Sequence, residues 1–93
     1  MMEKAIQLKV RKELNNQQQF NVIKLKGSLI SSGYTEIIHI VDEDEEYHIN
    51  SFETASGSKN EVHDFITAFI TRENLEDTIS ILDKKFTDRL FTI

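Results

Sequence analysis

Five consecutive carboxylates, Asp42-Glu43-Asp44-Glu45-Glu46, are the densest chemical feature of the chain, and no Lys or Arg lies within five residues on either side. Such a run repels itself, and a turn selected only for folding more usually carries Asn-Gly or Asp-Gly. Strand residues rise about 3.3 Å each, and duplex DNA carries one charge per about 1.7 Å of axis. Carboxylates on a hairpin tip therefore present an anion density of similar order over a short track. Arginine forks that grip phosphates or guanine edges also take carboxylates bidentately. The chemistry this predicts is occupation of a basic nucleic-acid site by a protein that copies DNA. The plainer reading is a solvated turn that discourages aggregation through a sheet edge.

Other constellations are weaker. His39 and His48, with Asp42 and Glu46 near them, supply ligand types that zinc accepts. The expected hairpin register puts the two histidines on opposite sheet faces, and the spacing and loop glycine of an EF-hand are absent. No metal site is predicted. His63 and Asp64 are adjacent on a predicted helix, where neighbours point about 100° apart, so they do not face each other. No GxGxxG, P-loop, HExxH or GxSxG pattern occurs, and there is no cysteine. The expectation is a protein that is not an enzyme and takes no cofactor.

Ninety-three residues suit one domain spanning 1–93. Eleven Lys and Arg against sixteen Asp and Glu leave a formal charge of −5, the wrong sign for a general nucleic-acid binder. The absence of cysteine fits a reducing, intracellular compartment. Neither a secretory leader nor an apolar run of the roughly 20 residues that a membrane helix needs is visible. The charge is uneven: residues 1–33 carry +4, residues 34–93 carry −9, and 36–64 alone carry −8. Lys9, Arg11, Lys12, Lys24 and Lys26 could contact phosphates while the acidic part binds a protein, although no aromatic interleaving accompanies them.

The elements that must position these residues follow from periodicity. Met2, Ile6, Val10 and Leu14 recur every four residues, and with the helix-favouring composition around them they predict an N-terminal helix. Ile6, Leu8 and Val10 also alternate with Gln7, Lys9 and Arg11, the pattern of a strand. Phe20 to Lys26 reads as a strand ended by Gly27-Ser28. Tyr34–Val41 and Tyr47–Phe52 predict a hairpin around the acids, with Val41 opposite Tyr47 and His39 opposite Ile49. Ile37, His39, Val41, Tyr47 and Ile49 form the predicted core face; Glu36, Ile38, Ile40, His48, Asn50 and Phe52 form the other. Ser58 and Glu61 fit a capping box, followed by a helical stripe of Val62, Phe65, Ile66, Phe69 and Ile70. Asn74 can cap a last helix with Leu75, Ile79, Leu82 and Phe86 on one face, and Leu90, Phe91 and Ile93 beyond it. The predicted class is α+β: an N-terminal helix, a three-stranded antiparallel meander, and two C-terminal helices packed on one sheet face.

Three segments carry a family resemblance. Tyr34-Thr35-Glu36-Ile37-Ile38-His39-Ile40-Val41, then Glu46-Tyr47-His48-Ile49-Asn50-Ser51 after the acidic turn, and Val62-His63-Asp64-Phe65-Ile66-Thr67-Ala68-Phe69 together resemble small phage-encoded type II-A anti-CRISPR proteins. The resemblance is good over about 34–70. It implies the same helix–meander–helices arrangement and a monomer encoded by a phage or mobile element, acting in the cytoplasm of a bacterial host. Its implied partner is the guide-loaded CRISPR nuclease, blocked at recognition of the protospacer-adjacent motif by DNA mimicry, with no direct binding of duplex DNA and no membrane. The implied interface residues are Asp42, Glu43, Asp44, Glu45 and Glu46, followed by Glu73, Glu76 and Asp77 at the opening of the last helix. The alternative is a small acidic interaction module, of antitoxin or immunity type, that binds another basic enzyme.

Overall fold

In a computed structural model that describes residues 6–55 and 57–82, the chain runs β1 (Ile6–Arg11), α1 (Asn16–Ser31), β2 (His39–Asp42), β3 (Tyr47–Phe52), α2 (Lys59–Arg72) and β4 (Ile79–Leu82). The four strands form one antiparallel sheet in the order β2-β3-β1-β4. This is α+β, and its connectivity is that of the ferredoxin-like, split βαβ topology.

The N-terminal segment is the largest correction. The alternating pattern prevails over the four-residue one: Ile6, Leu8 and Val10 are all buried, while Gln7, Lys9 and Arg11 face the other way. A helix presenting Ile6 and Val10 would turn Leu8 off that face. Backbone pairing with β3 on one side and β4 on the other makes β1 a central strand.

The strand expected at Phe20–Lys26 lies inside α1. Asn15 and Gln18 form a reciprocal capping box, with Gln18 N–H donating to Asn15 Oδ1 at 2.8 Å and Asn15 N–H to Gln18 Oε1 at 3.0 Å. Val22, Leu25 and Leu29 then face the core. The helix passes through Gly27 and stops at Gly33, whose φ of 81° suits a residue without Cβ. Tyr34 N–H bonds to Leu29 carbonyl and Gly33 N–H to Ile30 carbonyl, the two bonds of a Schellman motif.

α2 forms where its stripe predicts, burying Val62, Ile66, Phe69 and Ile70. The capping box at its start does not form. Ser58 makes no side-chain cap bond, and Glu61 instead accepts from the Tyr34 hydroxyl at 2.9 Å. Asn74 is not the cap of a further helix. It takes φ 57° and closes α2 with a second Schellman pair, Leu75 N–H to Ile70 carbonyl and Asn74 N–H to Thr71 carbonyl. Ile79 and Leu82, predicted on a helix face, belong to β4. Met2, Phe86, Leu90, Phe91 and Ile93 lie outside the described residues.

The β2–β3 hairpin is present, but its register is shifted by two residues, with Val41 opposite Ile49 and His39 opposite Ser51. A shift of two preserves which residues share a face, yet the core takes the face opposite to the one predicted. Asn50 and Phe52 are buried, whereas Ile37 and Val41 are about 60% exposed. Both helices cover the Ile6-Leu8-Val10 side of the sheet and form one core with Phe52, Leu75 and Ile79. Among the described residues no element covers the other side, the open face, which carries Tyr47 and Ile49 beside Lys9 and Arg11.

Candidate functional site

The turn begins where β2 stops, and its first job is local. Asp44 Oδ1 accepts from both Glu46 N–H and Tyr47 N–H at 2.8 Å. The Glu43 and Asp44 N–H groups donate back to Tyr47 carbonyl at 3.1 and 3.2 Å. An Asp side chain thus builds the tight turn that Asn-Gly would otherwise supply. The Glu46 and Tyr47 N–H donors hold the Asp44 carboxyl below the usual carboxylate range, with smaller help from Lys9 and Lys12.

Cations absent from the neighbouring sequence arrive from β1 and the residue that follows it. Lys9 Nζ lies 3.3 Å from Glu43 and 4.6 Å from the centre of the Tyr47 ring. Lys12 Nζ lies 3.4 Å from Asp42. Both pairs are solvated, so each contributes at most about 1 kcal/mol. They nevertheless neutralise two of the five acids. Lys9 and Lys12, considered in sequence as phosphate contacts, face the protein's own carboxylates.

Topology gathers further acids at the same end of the sheet. Beyond β1, Lys12 N–H donates to Glu46 carbonyl at 2.8 Å, while Arg11 N–H donates to Thr78 carbonyl at 3.0 Å. Residues 11–12 therefore join the β2–β3 hairpin to the α2–β4 turn. Gln18 Nε2 donates to Thr78 Oγ1 at 3.3 Å and ties in the start of α1. Of the acids predicted at the opening of a last helix, Glu73 caps α2 and pairs with Arg72 at 3.3 Å. Glu76 and Asp77 are exposed in the turn that leads into β4. Glu13 follows β1 at this end and is also exposed. Among the described residues, Glu13, Glu45, Glu46, Glu76 and Asp77 have no cationic partner.

The set differs from the sequence-derived one in a definable way. Asp42, Glu43 and Glu73 are ion-paired and Asp44 is committed to the turn, while Glu45, Glu46, Glu76 and Asp77 are displayed and Glu13 joins them. Glu13 carries no sequence signal of its own; only the strand order puts it beside the hairpin.

The histidines do not converge. His39 is exposed and lies on the open face, while His48 lies on the helix-covered face. Burial pushes the His48 imidazole below its usual range, with Lys26 and Lys12 adding to the effect. Its Nδ1 lies 2.9 Å from Asn50 Nδ2. An open groove of about 610 Å³ lies at the opposite end of β3, lined in part by Tyr34, Ile37, His39 and Glu53. None of the candidate acids lines it. No helix among the described residues is long and apolar enough to cross a membrane.

Fold and site together define a ferredoxin-like α+β domain with a carboxylate-rich sheet end. No protein-family model matches the chain, and neither a curated protein nor a solved structure is significantly similar to it.

Proposed function

We propose that this chain is a non-enzymatic binding module that presents its acidic sheet end to a basic surface on a partner protein. The observation that carries this reading is the convergence of Glu13, Glu45–Glu46 and Glu76–Asp77 from three separate stretches of sequence. Like charges collected at one end favour neither folding nor solubility beyond what scattered charges supply. They do build a field that steers a cationic surface toward that end.

The narrower form of the proposal rests on the sequence resemblance over 34–70: the partner is the guide-loaded RNA-guided CRISPR nuclease. That enzyme reads its short duplex motif with arginines before strand opening begins. Carboxylates seated on those arginines would stop the first step stoichiometrically, as an anti-CRISPR DNA mimic does. An antitoxin or immunity partner would use the same acids against a different basic enzyme.

A pull-down with guide-loaded and guide-free type II nuclease, with and without target DNA, tests the narrower form. Binding to the loaded enzyme that target DNA competes away supports it, whereas binding indifferent to DNA refutes mimicry. The residue-level test is the triple variant Glu45→Lys, Glu46→Lys, Glu76→Lys, which leaves the Asp44 turn and both lysine pairs intact. Association with the partner should weaken with salt in the native protein and be lost in the variant. A folded variant that binds as tightly as the native protein removes the acidic end from the mechanism.

A further inference from the structure

α1 carries two apolar stripes, and the fold uses one of them. Val22, Leu25 and Leu29 are buried against the sheet. Phe20, Ile23 and Ile30 are 61%, 66% and 46% exposed. At 100° per residue, Phe20, Ile23, Gly27 and Ile30 fall within one sector opposite the core stripe. Their 3-4-3 spacing is that of the seam along which two helices pack. Three large apolar side chains in register along one helix face are not the scattered exposure that any surface shows.

Gly27 is the second observation. Glycine weakens a helix interior, and nothing among the described residues asks for it here. Its φ is not positive, and a Cβ at this position would meet no atom within 4 Å. Lying between Ile23 and Ile30, the missing side chain leaves a notch into which a residue from another helix fits. Close approach at small residues is the usual reason for such a notch in helix pairs.

The charges select the occupant. α1 contains no acid, and its two charged residues, Lys24 and Lys26, flank the stripe on either side. A second copy of α1 packed antiparallel would set lysine against lysine across the contact. An anionic lipid surface would meet a molecule of net charge −5. We propose that the outer face of α1 is a docking site for an amphipathic helix of a partner protein, with an apolar seam and acidic flanks. This surface is independent of the acidic sheet end and would give the module a second, oppositely charged contact.

The test uses the full chain and two labelled 21-residue helical peptides with leucine seams, one flanked by Glu and the other by Lys. Fluorescence anisotropy at low salt should show the Glu-flanked peptide binding at least about tenfold more tightly, as expected where flanking charges set specificity. Amide shifts on binding should map to residues 20–31. Gly27→Leu should fill the notch and abolish binding while raising the melting temperature, by about 2–8 °C from helix propensity alone. Ile23→Glu should also abolish it. Equal affinity for the two peptides overturns the proposal, as does binding that survives Gly27→Leu in a folded protein. So does self-association by sedimentation that Ile23→Glu abolishes, or binding to phosphatidylserine vesicles in place of the peptide.

Discussion

Truncation of Leu8 to alanine separates the two periodicities that compete in the N-terminal segment. Leu8 is 2% exposed, lies opposite Asn50 of β3 and Ile81 of β4, and faces the helices between Ile6 and Val10. A buried Leu→Ala change removes transfer free energy and leaves a cavity, together about 2–5 kcal/mol. A domain of this size has roughly 5–14 kcal/mol of stability in all. Each kcal/mol moves the midpoint of such a domain by about 4–8 °C, so the melting temperature should fall by roughly 8–40 °C. Gln7→Ala, on the open face, should stay within about 0.5 kcal/mol of the native protein. Thermal and urea unfolding followed by far-UV circular dichroism measure both. Ile6–Arg11 is not a central strand if Leu8→Ala is as mild as Gln7→Ala while Ile6→Ala and Val10→Ala are severe. That four-residue pattern belongs to a helix.

Two further outcomes follow from local geometry. His48 has its proton affinity depressed by burial in the folded state, so the unfolded chain binds the proton first as pH falls. The group is neutral in both states well above its ordinary value of about 6.5, and stability should decline as pH drops from there through the lower folded value. Urea midpoints at pH 7.5, 6.5 and 5.5 should show a steeper decline in the native protein than in His48→Gln, and equal slopes would contradict the assignment. Asn74 sits at φ 57°, where a β-branched residue is strained by about 1–2 kcal/mol. Asn74→Val should therefore lower the melting temperature while Asn74→Gly does not, and equal midpoints would mean that α2 ends differently.

How much of this was legible depends on the range of the signal. The α2 stripe repeats over nine residues, from Val62 to Ile70, and predicted the helix correctly. The hairpin around 42–46 was legible because five successive acids with no apolar residue among them cannot carry a half-buried strand onward. α1 was missed although its capping pair, Asn15 and Gln18, is written in the sequence. Its second, outward stripe blurred the amphipathic pattern, and Gly27 read as a stop. Ser58 and Glu61 offered the better-known capping box, yet Glu61 found the Tyr34 hydroxyl, a partner 27 residues away. In the candidate site, the acids 42–46 were nameable from their run, and 76 and 77 only through the family resemblance. Their division into paired, turn-building and displayed groups was not, because Lys9 and Lys12 lie more than 29 residues from the acids they meet.

The class of the domain, the helix at 59–72, the acidic turn, and the asymmetry between a basic start and an acidic remainder are written in the chain itself. Those properties depend on composition and on contacts within a few residues. Tertiary structure decided that Ile6–Arg11 is a strand, which face of the hairpin enters the core, and that residues 79–82 close the sheet rather than continue a helix. A short apolar segment satisfies both a period of two and a period near four, so its own residues cannot choose. Ladder bonds to β3, some forty residues on, and to β4, some seventy residues on, make the choice for β1. The same strand and the residue after it then bring Lys9 and Lys12 to the hairpin and join the acidic loops at one end of the sheet.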